Sequence, residues 1–233
     1  MAEDEDAFGF WARADGGGPG VVLVPDVWGV SDLYRGFARR LADDGFTTLV
    51  VDPYRKTGRR QLTDVASALA WIAELSDPIV LETLQEAVDR VGADDAVAGR
   101  RVGVVGFCMG GQYALLAACE CRGLSACAPF YGMVRYASDV DPARKPRSPL
   151  EALSSLSCPV LGFYGTQDAI IPVADVRALE ARLAKSNQAG EVLLYEGAGH
   201  AFMNDTRPEM YRPDAARDAW PRLVAFLHRQ LDG

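Results

Sequence analysis

Histidine is the scarcest of the chemically useful residues in this chain, with two in 233 positions, and any reaction needing an imidazole must draw on His200 or His228. The five cysteines (108, 119, 121, 127 and 158) are odd in number and follow no disulfide spacing, so they read as free thiols of a reducing compartment. Cys119-Glu120-Cys121 and Cys127 have no histidine near them, and Cys119 falls inside a helical run. No metal site is therefore expected. No apolar stretch approaches the ~20 residues of a membrane span, and the acidic start, Met1 to Asp6, lacks the basic and apolar regions of a secretory leader. Positive charge is also in deficit: 24 Lys and Arg against 32 Asp and Glu give a net charge of -8. Nucleic acid and anionic membrane each require a basic face, so neither is expected as a partner. The expectation is a cytoplasmic protein, monomer or homodimer, that acts on a small molecule. An anionic one stays compatible, because a single local arginine suffices. There is no internal repeat, no low-complexity linker and no GxGxxG frame for a dinucleotide.

What is present is an alternation of short apolar runs with helical ones. Val21 to Val24, Thr47 to Val51, Arg101 to Val105, Leu124 to Tyr131, Pro159 to Gly165 and Glu191 to Tyr195 read as strands, and Phe8 to Arg13 reads as a short edge strand. Leu33, Phe37 and Leu41 recur every four residues in a helix capped by Ser31 or Asp32 and ended by Gly45. Leu62 to Leu75 and Ile79 to Val91 read as helices broken at Ser76-Asp77-Pro78, and Val173 to Lys185 and Pro213 to Leu231 as two more. Met133 to Pro149, rich in proline and charge, reads as a loop that forms a cap or a surface insertion. The pattern predicts an α/β fold, a doubly wound, mostly parallel sheet flanked by helices, in a single domain over 1–233, with the acidic residues 1–7 left unordered.

One stretch carries the chemistry. Arg101 to Val105 runs through Gly106-Phe107-Cys108-Met109-Gly110-Gly111 into an Ala- and Leu-rich helix. Glycines two places either side of Cys108 give the GxSxG spacing of a nucleophile elbow, with sulfur replacing the hydroxyl oxygen. A turn that lifts one side chain off a sheet strains the backbone there and leaves no room for neighbouring Cβ atoms. At the start of a helix, free N–H groups and the helix dipole favour an anion on that sulfur. The alternative is a buried structural cysteine in a glycine-rich strand-to-helix turn. His228 lies within the last helix, whereas His200 sits in a flexible loop just past a strand, so His200 is the candidate base. Asp168, closing the loop Gly165-Thr166-Gln167-Asp168, is the candidate acceptor for it, although alone it could cap the helix near Pro172. The order nucleophile, acid, base, each just beyond its own strand, is that of α/β-hydrolases. The Met109 N–H, next to the nucleophile, supplies one oxyanion donor. Pro25-Asp26-Val27-Trp28-Gly29 is placed to supply a second through the Val27 N–H. Trp28 reads equally as pocket wall or core.

With these residues in hand, the sequence resembles the dienelactone hydrolase (carboxymethylenebutenolidase) family of α/β-hydrolases. The likeness runs from Val21 to Leu231 and rests on Pro25 to Gly29, Asp52-Pro53-Tyr54, Gly106 to Gly111, Phe130-Tyr131-Gly132, Gly165 to Asp168 and Gly199-His200-Ala201-Phe202. Cysteine in the elbow is the discriminating feature. The resemblance implies hydrolysis of a lactone or small ester without a cofactor, through Cys108, His200 and Asp168 and a thioester intermediate. It also implies that Asp26 takes the place of an acidic residue, usually glutamate, that interacts with the resting thiol. Trp28, Tyr131, Phe202, Asn204 and Arg207 are the corresponding pocket candidates. Where well-studied members carry a carboxylate-binding arginine four residues after the histidine, this chain has Asn204, and Arg207, Arg135, Arg144 and Arg147 are the possible substitutes. A broader carboxylesterase, a thioesterase or a phosphotriesterase would fit the same three residues, and a non-catalytic binding domain is the remaining alternative.

Overall fold

The computed structural model describes residues 1–232. Eight strands, β1 (Ala2–Asp6), β2 (Gly9–Arg13), β3 (Gly20–Val24), β4 (Thr47–Val51), β5 (Val102–Phe107), β6 (Leu124–Phe130), β7 (Val160–Gly165) and β8 (Gly190–Tyr195), form one sheet in the order β1-β2-β4-β3-β5-β6-β7-β8. From β4 to β8 every pairing is parallel, and β2 is antiparallel to both its neighbours. Seven helices connect and cover it: α1 (Asp32–Asp43), α2 (Val65–Glu74), α3 (Asp77–Gly92), α4 (Met109–Glu120), α5 (Pro149–Ala152), α6 (Val173–Leu183) and α7 (Pro213–Leu231). This is the α/β-hydrolase arrangement.

Alternation along the strands divides the core in two. Val22, Val24 and Val104 face α3, α4 and α6, while Val21, Leu23 and Val105 face α1 and α7. Burial on both faces explains why the central strands are apolar throughout rather than alternating. Among the described residues no helix is long and apolar enough to cross a membrane.

The first residues depart from expectation. Residues 2–6, expected to be unordered, form β1 on the outer edge, so β2 is interior and not the edge strand. All five side chains of β1 are exposed, so burial does not hold it. Its carboxylates meet arginines from the rest of the chain: Glu3 with Arg39 at 2.8 Å, Asp4 with Arg13 at 2.9 Å, Glu5 with Arg35 at 2.9 Å and Asp6 with Arg90 at 2.5 Å. Further along, α2 begins at Val65 rather than Leu62, because Asp64 and Ser67 form a reciprocal capping box. The 133–148 segment is a loop, pinned where Lys145 Nζ meets Asp77 Oδ1 at 2.6 Å with both side chains buried.

Candidate active site

β5 ends at Phe107, and the next residue turns sharply. Cys108 has φ 55° and ψ -118°, a strained conformation for a residue with a side chain. The strain is held from several sides: the Cys108 N–H donates to the Phe130 carbonyl at 3.0 Å, and its own carbonyl accepts from Gly111 and Gln112. A Cβ on Gly106 would lie 1.9 Å from the Gly110 carbonyl oxygen, and one on Gly110 would lie 2.0 Å from that of Val24. Only glycines allow the turn to close. The other four cysteines are buried, and burial pushes the thiols of Cys119, Cys121 and Cys158 up to about 12, so they stay protonated and inert. Cys108 alone is half-exposed.

The loops after β7 and β8 bring Asp168 and His200 together. Asp168 Oδ1 accepts the N–H groups of Ile170 and Ile171 at 2.8 and 3.0 Å, which leaves Oδ2 facing His200 Nδ1 at 2.8 Å. The Tyr131 ring meets the imidazole edge-on, with centroids 5.2 Å apart. His200 Nε2 is buried and makes no hydrogen bond of normal geometry, and Cys108 is the neighbour whose charge acts on it. Burial lowers the imidazole pKa, but the Cys108 charge and the Asp168 hydrogen bond outweigh it and raise the value to about 10. His228 is committed elsewhere, to Asp232 and the Asp44 carbonyl.

The two backbone N–H groups read from the sequence as oxyanion donors lie near Cys108: Met109 follows it in the chain, and Val27 lines the same cleft. Among the described residues, neither the Val27 nor the Met109 N–H has a hydrogen-bond partner. Tyr54, buried in the loop after β4, ties the two together: its hydroxyl donates to the Val27 carbonyl at 2.6 Å and lies 3.5 Å from the Met109 sulfur. Asp26 makes no hydrogen bond to Cys108 in this arrangement. Its Oδ1 accepts the Trp28 N–H at 2.9 Å, while burial raises its pKa against the opposing effects of Trp28, Tyr34, Arg207 and His200.

Above these groups lies a mostly apolar cleft of about 570 Å³, open to solvent, with Cys108 and His200 in its lining. Trp28, Tyr131, Asn204 and Arg207 also line it. The Arg207 guanidinium sits 5.5 Å over the Trp28 ring and forms no ion pair among the described residues.

The dienelactone hydrolase family model matches residues 9–231 of this chain. The chain belongs to that family. As a dienelactone hydrolase family member it is an enzyme of the carboxylic ester hydrolase class. It is 32% identical over 217 residues to the carboxymethylenebutenolidase of Rhodococcus opacus, covering 93% of this chain and 83% of that one. A Bradyrhizobium protein assigned as a 2-oxo-3-(5-oxofuran-2-ylidene)propanoate lactonase is also 32% identical, over 215 residues, 92% of this chain and 85% of that one. The crystal structure of a protein assigned as a dienelactone hydrolase from Klebsiella pneumoniae superposes with a TM-score of 0.81 at 30% identity, covering 93% and 90% of the two chains.

Within this family member, one pocket residue read from the sequence is displaced. Phe202 is fully buried, its ring tilted or edge-on against Phe130, Tyr131 and Tyr195, and it does not line the cleft. The cause is Ala201, whose left-handed φ of 58° turns the chain inward just after His200. The loop arginines are occupied as well: Arg135 pairs with Asp175, Arg144 with Asp141, and Arg147 with Glu120. Arg207 is the cation left in the cleft. Sequence reasoning missed part of the cleft's lining, to which Val65, Leu69 and Ile72 of α2 contribute together with Ile170 and Met210. The only signal was the apolar face of a helix, which reads equally as core.

Proposed function

We propose that this enzyme hydrolyses lactones and small carboxylic esters with Cys108 as nucleophile, His200 as proton carrier and Asp168 as its orienter. The observation that carries the proposal is the position of His200, fixed at Nδ1 by Asp168 and presenting a buried, unshared Nε2 beside the only half-exposed thiol. Cys108 Sγ attacks the substrate carbonyl, and the Val27 and Met109 N–H groups stabilise the oxyanion. Collapse breaks the ester C–O bond, and the imidazolium gives its proton to the leaving oxygen. Water then attacks the thioester, His200 takes its proton, and the C–S bond breaks to free the acid. Nucleophile, base and oxyanion donors all come from the chain, so this scheme uses no cofactor.

The substrate is proposed to carry an anionic group that pairs with Arg207 and an apolar portion that rests on α2. The unpaired guanidinium on Trp28 and the apolar wall support both halves of that reading. Asp26, close enough to Arg207 and His200 to sense both, is proposed to tune the thiol as the anion arrives. The free cysteines support a cytoplasmic setting.

Purified enzyme assayed on lactones and p-nitrophenyl esters, with and without a carboxylate, tests the scheme. Iodoacetamide should abolish turnover with alkylation concentrated on Cys108, and Arg207→Gln should raise KM selectively for the carboxylate-bearing substrates. Full activity after Cys108 is alkylated would remove it from its role. Equal KM changes for charged and neutral substrates would remove the anion from the substrate.

A further inference from the structure

A second recess, smaller than the cleft, adjoins it at the thiol and shares Leu69, Ile72, Ile170 and Tyr131 with it. Cys108, Met109, His200, Tyr131, Met133 and Gln112 contribute to its lining. Its walls are otherwise apolar, and the space inside that a water-sized sphere can reach is about 20 Å³. About 10–15 Å³ of such space holds one water molecule, provided that polar partners are available. Two are. Gln112 is fully buried, and its Oε1 has no hydrogen-bond partner; His200 Nε2, also buried, has only the Cys108 sulfur beside it, a partner that acylation of the sulfur removes. Buried polar atoms are rarely left this way unless a ligand or water completes them.

The orientation of the Gln112 amide follows from its neighbours. Tyr136 donates its single hydroxyl proton to Asp77 Oδ2 at 2.7 Å, so toward Gln112 that hydroxyl can only accept, and it takes Nε2–H at 3.0 Å. Asp77 Oδ1 also takes bonds from Lys145 Nζ at 2.6 Å and Tyr113 at 2.9 Å, so its oxygens serve as acceptors. The acceptor buried under the 133–148 loop thus sets the Tyr136 proton, and the Tyr136 proton sets the amide. Nε2 faces the hydroxyl, and Oε1 is left as the free acceptor.

We propose that Gln112 Oε1 and His200 Nε2 together bind the water that hydrolyses the thioester. The inference rests on the reading of Cys108 as the acylated nucleophile. Water donates one hydrogen to Oε1 and the other to Nε2, which directs an oxygen lone pair at the acyl carbon on Sγ. As the oxygen attacks, its proton passes to Nε2 and the carbonyl electrons move to the oxyanion. Collapse expels Cys108 as a thiolate, its C–S bond electrons going to sulfur. The acid leaves, and no other reactant is consumed. Gln112 has no part in acylation.

Stopped-flow hydrolysis of p-nitrophenyl acetate by the full chain, with the wild type beside Gln112→Met and Tyr136→Phe, tests this. In Gln112→Met the p-nitrophenol burst should keep its rate and the steady state should fall roughly ten- to a hundred-fold, the scale of a misplaced reactant. Acetyl-Cys108 should accumulate in intact-mass spectra, alkylation of Cys108 by iodoacetamide should keep its rate, and hydroxylamine should restore turnover. Tyr136→Phe, which frees the amide to rotate, should shift the same step in the same direction by less, and decides the matter if Gln112→Met does not fold. Burst and steady state slowed together, or both unchanged, would overturn the role of Gln112 while leaving Cys108 as nucleophile. Turnover in the wild type with no acetyl group ever on Cys108 would instead overturn the underlying reading.

Discussion

The sharpest perturbation of the proposed mechanism is Asp168→Asn, because the structure dictates which way the new amide points. Asp168 Oδ1 accepts two backbone N–H groups, from Ile170 and Ile171, and only an oxygen can keep those bonds. The asparagine oxygen must therefore stay there, and its NH2 group must turn to His200 Nδ1, 2.8 Å from the present Oδ2. Nδ1 then has to accept, so the imidazole proton moves to Nε2. That nitrogen now presents a hydrogen to Cys108 and cannot take the thiol proton. The negative charge that favours the imidazolium is lost at the same time. For a wrong tautomer with geometry intact, kcat falls by about 10⁴, which corresponds to about 5 kcal/mol of transition-state stabilisation. Because both turn-forming bonds survive, the melting temperature should hardly move. The assay is kcat/KM on a p-nitrophenyl ester, with melting followed by circular dichroism. A variant that keeps more than a tenth of the activity at unchanged stability would refute the assigned roles of Asp168 and His200 alike.

Two further outcomes follow from charge. In Cys108→Ala the largest influence raising the His200 pKa is gone while burial, which lowers it, remains, so the imidazole should titrate well below its present value of about 10. NMR of the ring signals reads this directly, and a titration still near 10 would mean that the thiol does not face Nε2. Lys145→Met leaves the buried Asp77 side chain without its cationic partner, at a cost of about 3–5 kcal/mol in urea denaturation. A loss under about 1 kcal/mol would show that the loop is not anchored there.

How much of this was legible depended on how local each cause is. The elbow could be read because Gly106, Cys108 and Gly110 are confined to five positions, and backbone crowding alone requires those glycines. The geometry bringing His200 to Asp168 could be anticipated because both lie in loops beyond parallel strands, which must emerge at one edge of the sheet. β1 could not be foreseen: its arginine partners at 13, 35, 39 and 90 are scattered, and an acidic run by itself reads as solvated chain. Phe202 was misplaced because a single left-handed residue, Ala201, inverts the direction of everything after it, and nothing about an alanine announces that. Tyr54 and Gln112 acquire meaning only from atoms 27 and 24 residues away.

The division of labour between these elements explains how a fixed chemistry can serve a changeable substrate. Every residue of α4 from Met109 to Cys119 is buried, so the elbow, the Met109 donor and Gln112 cannot shift without disturbing the core. The wall of the cleft is different: Val65 and Leu69 of α2 are 55% and 39% exposed, and Arg207 lies in the loop beyond the histidine. Substitutions there change what the cleft admits at little cost to stability, since surface positions away from special features usually tolerate replacement. On the proposed reading, Asn204 leaves the position four residues after His200 without a charge and Arg207, three residues on, supplies it, so the proposed anchor for a substrate anion lies on the changeable wall while the proposed chemistry stays with Cys108.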